Sequence, residues 1–265
     1  FRNRFHPLHW LRQSPFIATR VLPLFDRQVF IRMHGVRWPV RVWRLRHMSY
    51  LVDNRIIEPG ITALFLALQS MTRTRVFWDV GANAGFYSWL LMSADNALTV
   101  TLFEPDPENL SLLHGTIAGA DLSERAAIVA KAASDGAGEA RFVVDARSSA
   151  TSHLEQGGSG AEGRVVTVQT TTLDAELETR AAPDLVKIDV EGAEALVFAG
   201  AARLVAEIRP IVILECFGGL EAAPLRGLAD AGYEFLCADD LTAAADATGN
   251  YLCLPPDCAI DRAAL

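Results

Sequence analysis

The stretch from Val76 to Tyr87 constrains the fold of this chain more than any other. Val76-Phe77-Trp78 is a short apolar run of the kind a strand covered on both faces requires. It leads into Asp79-Val80-Gly81-Ala82-Asn83-Ala84-Gly85-Phe86-Tyr87. Gly81 and Gly85 lack Cβ atoms, so the backbone can bend sharply there and lie against a ligand. Residues 86–92 then read as a helix whose first N–H groups are free to meet an anionic group.

The same strand, loop and helix pattern repeats downstream. Residues 98–103 read as a second strand, followed by a turn at Glu104-Pro105-Asp106-Pro107 and a helix over 108–117. Further strands are expected at 126–130, 184–190, 211–216, 233–237 and 250–254, with helices over 191–204 and 223–231. Residues 141–144 and 164–170 look like an added pair around the flexible segment 156–163. Alternation of this kind predicts an α/β fold with a doubly wound, mostly parallel, seven-stranded Rossmann-like sheet and helices on both faces. Ahead of it, two short strands around 29–33 and 40–45 and a helix ending near Gln69 predict a small N-terminal hairpin module. The division expected is a module over residues 1–55 and a catalytic domain over 56–265.

Charge separates the same two parts. Residues 1–55 hold eleven Arg, no Lys and two acids, whereas the rest holds thirteen bases and thirty acids. An all-Arg segment can recognise phosphate or carboxylate through its planar fork, or can dock a basic module on an acidic domain. The first reading predicts an anionic acceptor. No basic helix or aromatic stacking motif points to nucleic acid. No run of about 18 uncharged apolar residues predicts a transmembrane helix. Cys253 and Cys258 form a C-x4-C pair without a second ligand pair, so no metal is expected, and reduced thiols fit a cytoplasmic protein.

Ligands of such sheets bind beyond the carboxyl ends of the strands where strand order reverses. A dinucleotide fingerprint there would read G-x-G-x-x-G. This loop reads D-x-G-x-N-x-G, with Asn83 in place of the middle glycine and an acid ahead of it. Asp79 would repel a pyrophosphate but hold the cationic methionine end of S-adenosyl-L-methionine. Glu104, nineteen residues after Gly85, stands where a carboxylate can accept both ribose hydroxyls. An NAD(P)-dependent oxidoreductase is therefore the second reading, and a cofactor-binding protein without catalysis the third.

On these residues the sequence resembles the FkbM-type methyltransferase family. The resemblance rests on Asp79 to Ser88, on Phe103-Glu104-Pro105-Asp106 and on Thr172-Leu173-Asp174. It continues through Val186-Lys187-Ile188-Asp189-Val190-Glu191-Gly192-Ala193-Glu194 to Ile213-Leu214-Glu215. It implies an S-adenosylmethionine-dependent O-methyltransferase acting on a hydroxyl of a sugar, glycan or natural product. The family's usual residue after the glycine at 192 is His, and Ala193 departs from it. The cofactor set expected is Asp79, Gly81, Ala82, Asn83, Gly85, Phe86, Ser88, Glu104, Pro105 and Ala133.

Transfer from an activated methyl group needs alignment above all, which can supply about 7–11 kcal/mol. A base adds about 10²–10⁴-fold. Alternation along the strand over 184–190 puts Lys187 and Asp189 on one face. Asp189 is the first candidate for the base, with an ion pair or a cap on the next helix as its structural roles. Glu215, ending the following strand, and His153, in a stretch that could reach over the cofactor as a lid, are the reserves.

Overall fold

The computed structural model describes residues 21–47, 50, 57–145, 152–155, 163–216, 222–242, 249–258 and 260. The expectations for residues 1–20, for most of the segment 148–153 and for 156–162 lie outside them.

The central sheet has seven strands, and in spatial order they run β12 (Glu234–Cys237), β13 (Gly249–Leu254), β11 (Ile211–Cys216), β10 (Leu185–Ile188), β3 (Val76–Val80), β4 (Thr99–Phe103) and β5 (Ala126–Val129). The five from β11 to β5 are mutually parallel, and β13 runs antiparallel between β11 and β12. Chain order moves outward from β3 through β4 to β5, then returns to β10 on the other side. The crevice between β3 and β10 is thus the point where strand order reverses.

Two apolar layers hold this sheet. Phe77, Leu102, Leu185 and Ile213 face one of them, with α1 (Pro59–Thr72) and α2 (Phe86–Ala94). Trp78, Phe103, Val186, Ile188 and Leu214 face the other. The alternation along each strand sorts its side chains between the layers. Helix α3 (Pro107–Ala120) starts where Asp106 accepts the Glu108 N–H at 2.9 Å and Pro107 occupies the first turn. Asp184 ties the start of β3 to that of β10 by accepting the N–H groups of Arg75 and Val76.

A second sheet of four strands follows β5 in the chain, ordered β6 (Ala132–Ala133), β9 (Arg164–Thr171), β7 (Gly138–Val144) and β8 (His153–Leu154). The expected added pair is therefore β7 and β9, longer than the sequence suggested and antiparallel. The N-terminal hairpin, β1 (Gln28–Ile31) and β2 (Val40–Trp43), contributes Met33, Val40 and Val42 to the apolar layer that contains α2.

One expected helix differs. A short turn, α4 (Leu173–Glu176), precedes β10; after β10, instead of one helix over 191–204, the chain forms α5 (Glu194–Ala199) and a separate π-helical turn, Leu204–Ile208. Glu191 and Gly192 both take left-handed backbone angles, φ 52° and 96°, and that delays the helix start. The last helix is α6 (Ala223–Asp230).

Gly81 carries a packing role that its loop position alone did not suggest. Its φ is +82°, and a Cβ there would collide with the carbonyl oxygen of Asp189 at the exit of β10. Gly81→Ala should therefore destabilise the fold by at least about 2 kcal/mol, since strain at positive φ adds to overpacking. Urea unfolding measures this, and an unchanged midpoint would contradict the close approach of the two strand exits. Gly85, φ +79°, is constrained similarly, because a Cβ would stand 2.6 Å from the Trp89 ring.

Candidate active site

The carboxyl ends of β3, β4, β10 and β11 open into a cavity of about 420 Å³. Of the expected cofactor residues, Asp79, Gly81, Ala82, Asn83, Phe86, Glu104, Pro105 and Ala133 line it, and so do Asp189 and Glu215. Gly85, Ser88 and His153 do not. Gly85 turns the loop, and its space is taken by Trp89. Ser88 is fully buried behind the wall and donates its hydroxyl to Asp79 Oδ2 at 2.7 Å. It thus orients the acid rather than facing the cavity.

Asp79 is 1% exposed, and its Oδ1 is buried without a hydrogen-bond partner. Burial pushes its carboxyl up, while the nearby Lys187 ammonium and the Ser88 hydroxyl oppose that. An orphaned carboxylate oxygen on a cavity wall is the acceptor that a bound ammonium would satisfy. This donor-seeking wall fits the amino-acid end of S-adenosylmethionine.

Glu104 ends the neighbouring strand. One of its oxygens accepts the Asn83 N–H at 2.7 Å and the other the Asp106 N–H at 2.8 Å. Burial, then repulsion from Asp106, raises its carboxyl to about 8. The lone pairs left over are those available to ribose hydroxyls.

Parallel register sets the remaining charges. Lys187 pairs with Asp79 across β10 and β3, and with Ile213 across β10 and β11. Two residues further on, Asp189 comes beside Glu215. Lys187 Nζ donates to Asp189 Oδ2 at 2.8 Å and lies 5.5 Å from the centre of the Tyr87 ring. Burial pushes the Lys187 ammonium down, yet Asp189 and Asp79 more than reverse this, so it stays charged. Burial and the adjacent Asp189 and Glu191 lift Glu215 to about 7. Burial, Asp189 and Glu194 do the same to Glu191, also to about 7. The arrangement is one ammonium threaded between Asp79 and an acidic edge of Asp189, Glu191 and Glu215.

The two structural roles open to Asp189 now separate. The helix after β10 begins at Glu194, and its N-cap position is Ala193 with no side-chain cap, so Asp189 does not cap it. The ion pair with Lys187 is real. His153 fails to face the cavity because β8 alternates: Ser152 and Leu154 line it, and His153 takes the opposite side.

Sequence reasoning missed several wall residues. Tyr50, Ile57, Glu58 and Tyr87 line the end of the cavity near Lys187, with the Tyr87 hydroxyl donating to Glu58. Ala193 also lines the cavity and is buried against the second sheet's apolar cluster. The described arginines of residues 21–47 are elsewhere. Arg37 binds Ser93 and Asn96, Arg41 lies over Phe30, and Arg46 pairs with Asp106 and Glu108. Arg37, Arg41 and Arg46 thus pack the hairpin on its neighbours, whereas Arg27, Arg32 and Arg44 are exposed and the other five arginines of residues 1–55 lie outside the described residues. Among the described residues, no helix is long and apolar enough to cross a membrane.

The sheet order, with a cavity at its reversal point, defines a Rossmann-like methyltransferase fold. Residues 79–235 match the Methyltransferase FkbM domain, which is more than half of the chain. The chain belongs to this family, whose methyl donor is S-adenosylmethionine. That removes the oxidoreductase reading of the glycine loop.

Solved structures with a similar fold include a methyltransferase FkbM from Methylobacillus flagellatus KT, 14% identical with a TM-score of 0.43. The alignment covers 73% of this chain and 58% of that protein. A putative caffeoyl-CoA O-methyltransferase from Staphylococcus aureus is 13% identical, with a TM-score of 0.46 and coverage of 80% of this chain and 90% of that one. An O-methyltransferase from Bacillus cereus in complex with SAH is 12% identical, with a TM-score of 0.43 and coverage of 79% and 86%. No curated protein sequence matches the chain.

Proposed function

We propose that this methyltransferase acts on oxygen, transferring methyl to a hydroxyl of an uncharged, sugar-like or other polyhydroxylated acceptor. The observation that carries the reading is the placement of Asp189 and Glu215 together on the cavity wall, beyond Lys187 from Asp79. S-adenosylmethionine, when bound, supplies a methyl group already activated on a sulfonium.

The protein's own residues then have three tasks. Asp79, Glu104 and the Asn83 loop hold the cofactor. Tyr50, Phe86 and Tyr87 offer aromatic walls, and Glu58 an acceptor of hydroxyl hydrogen bonds. The Asp189 and Glu215 pair takes the proton that the acceptor hydroxyl gives up as the C–O bond forms. Lys187 keeps Asp189 oriented through its 2.8 Å hydrogen bond. Carboxylates outnumber ammonium groups here, which disfavours an acidic acceptor.

A tritium-labelled methyl donor offered with a panel of neutral, amino and phosphorylated sugars tests this. Label should enter a base-stable ether on a neutral sugar, with little effect of added salt. Transfer only to phosphorylated acceptors, weakened by salt, would overturn the charge argument.

The pair also sets a pH dependence. A carboxylate works as a base only when ionised, and Glu215 is lifted to about 7. Below about pH 7, kcat should fall close to tenfold per unit, levelling above it, as the coupled pair takes up a proton. In Glu215→Gln the rise should move to lower pH. A flat profile from about pH 5.5 to 8.5 would remove the pair from proton transfer.

A further inference from the structure

Two adjacent residues of the N-terminal hairpin reach the two loops assigned to the cofactor. After β2 the chain turns, and the turn is closed by Asp26, which accepts the N–H groups of Leu45 at 2.7 Å and Arg46 at 3.1 Å. Arg46 Nη1 is then 3.9 Å from Asp106 Oδ2, beside the Glu104 turn, and Arg46 Nη2 is 2.7 Å from Glu108. Its side chain is only 9% exposed. His47, 1% exposed, lies 2.9 Å from Asn83 in the glycine loop.

The imidazole has a defined tautomer. Trp43 N–H donates to His47 Nδ1 at 3.2 Å, so Nδ1 is the acceptor and Nε2 carries the proton. Nε2 therefore donates to Asn83 Oδ1. Asn83 sits at φ +52° and lines the cavity. With its oxygen committed to His47, the amide can rotate no further, and its Nδ2 hydrogens are what it can present to a ligand.

We propose that His47 is a positioning residue for the cofactor. By fixing the Asn83 amide it turns the loop's Asn into a hydrogen-bond donor facing the cavity, while Arg46 secures the Glu104–Asp106 turn on the other side. The hairpin is thus a clamp on both cofactor loops, and the ligand group it serves is an acceptor such as a carboxylate oxygen. This rests on the S-adenosylmethionine site described above.

Calorimetric titration with S-adenosylhomocysteine (SAH), alongside thermal melts of the unliganded protein, tests it. His47→Leu should weaken SAH by about tenfold, the scale of one hydrogen bond to a charged group. His47→Gln, whose amide N–H can replace Nε2–H, should recover most of that. A purely structural His47 would lower the melting temperature of both variants and leave the affinity of the folded protein at the wild-type value. That result overturns the proposal, as would a Gln variant as weak as Leu. Should His47→Leu not fold, Asn83→Asp decides, because Asp keeps the acceptor for His47 and tolerates the backbone angle but loses the donor. It should bind SAH at least about tenfold more weakly, and wild-type affinity would overturn the proposal. Silence of the wild-type protein toward SAH would instead remove the cofactor site itself, and the clamp's purpose with it.

Discussion

Asp189→Asn should lower turnover by about 10²–10⁴-fold while SAH affinity stays near wild type. The substitution keeps the shape of the side chain and removes its charge and basicity. No helix cap is lost, because the following helix starts at Glu194 behind Ala193 and uses no side-chain cap. What is lost, apart from the base, is the partner of Lys187, which donates to Asp189 at 2.8 Å. Asp79 remains across the strand to balance the ammonium, so the protein should fold with a lower melting temperature. Single-turnover kinetics with saturating donor and acceptor separate these effects. A variant that melts earlier but turns over at the wild-type rate would reduce Asp189 to an ion-pair residue, leaving Glu215 as the base.

Glu104→Gln should weaken SAH by about tenfold to hundredfold, the loss of one charge-assisted hydrogen bond. The Gln variant is more informative than Ala, because Glu104 also accepts the N–H groups of Asn83 and Asp106. Removing the whole carboxyl would leave two buried donors unmatched and disturb the loop. Burial lifts Glu104 to about 8 in the unliganded protein, so losing the charge itself should cost little stability at neutral pH. Gln keeps one acceptor of the two and sets its NH2 against the Asn83 or the Asp106 N–H, so a lower melting temperature is expected as well. Ribose hydroxyls are donors and favour the ionised carboxylate. SAH binding should accordingly release protons near pH 7 and tighten as pH rises through about 8. Wild-type affinity in Glu104→Gln, with no proton release, would detach Glu104 from the ribose.

The sequence was most legible where one local rule dominates. β11 runs over Ile211–Cys216 as expected, since a continuous apolar run has a single place in a parallel sheet. The loop from Asp79 to Gly85 and the acid at 104 were visible because glycine and a strand-ending carboxylate are unusual at those positions. The helix over 191–204 was misjudged because apolar spacing says nothing of φ, and Glu191 joins Gly192 in the left-handed region. His153 was misread because its face depends on the register of β8 against β7, which only the folded sheet fixes.

His47, Tyr50 and Glu58 were missed for a different reason. Each belongs to the cavity or its loops only through the docking of the hairpin and α1, contacts without a local signature. Of the two roles open to the arginines, docking is seen for Arg37, which binds Ser93 and Asn96, and for Arg46, which pairs with Asp106 and Glu108, while Arg41 packs beside Gly115 of α3.

The central claim is that Asp79, Glu104 and the Asn83 loop form an S-adenosylmethionine site. Calorimetric titration of the wild-type protein with SAH, and separately with NADH, tests it most directly. The geometry predicts one SAH per chain and no heat with NADH, because the Asp79 carboxylate faces the place a pyrophosphate would need. Tight binding of NADH with no response to SAH would contradict it.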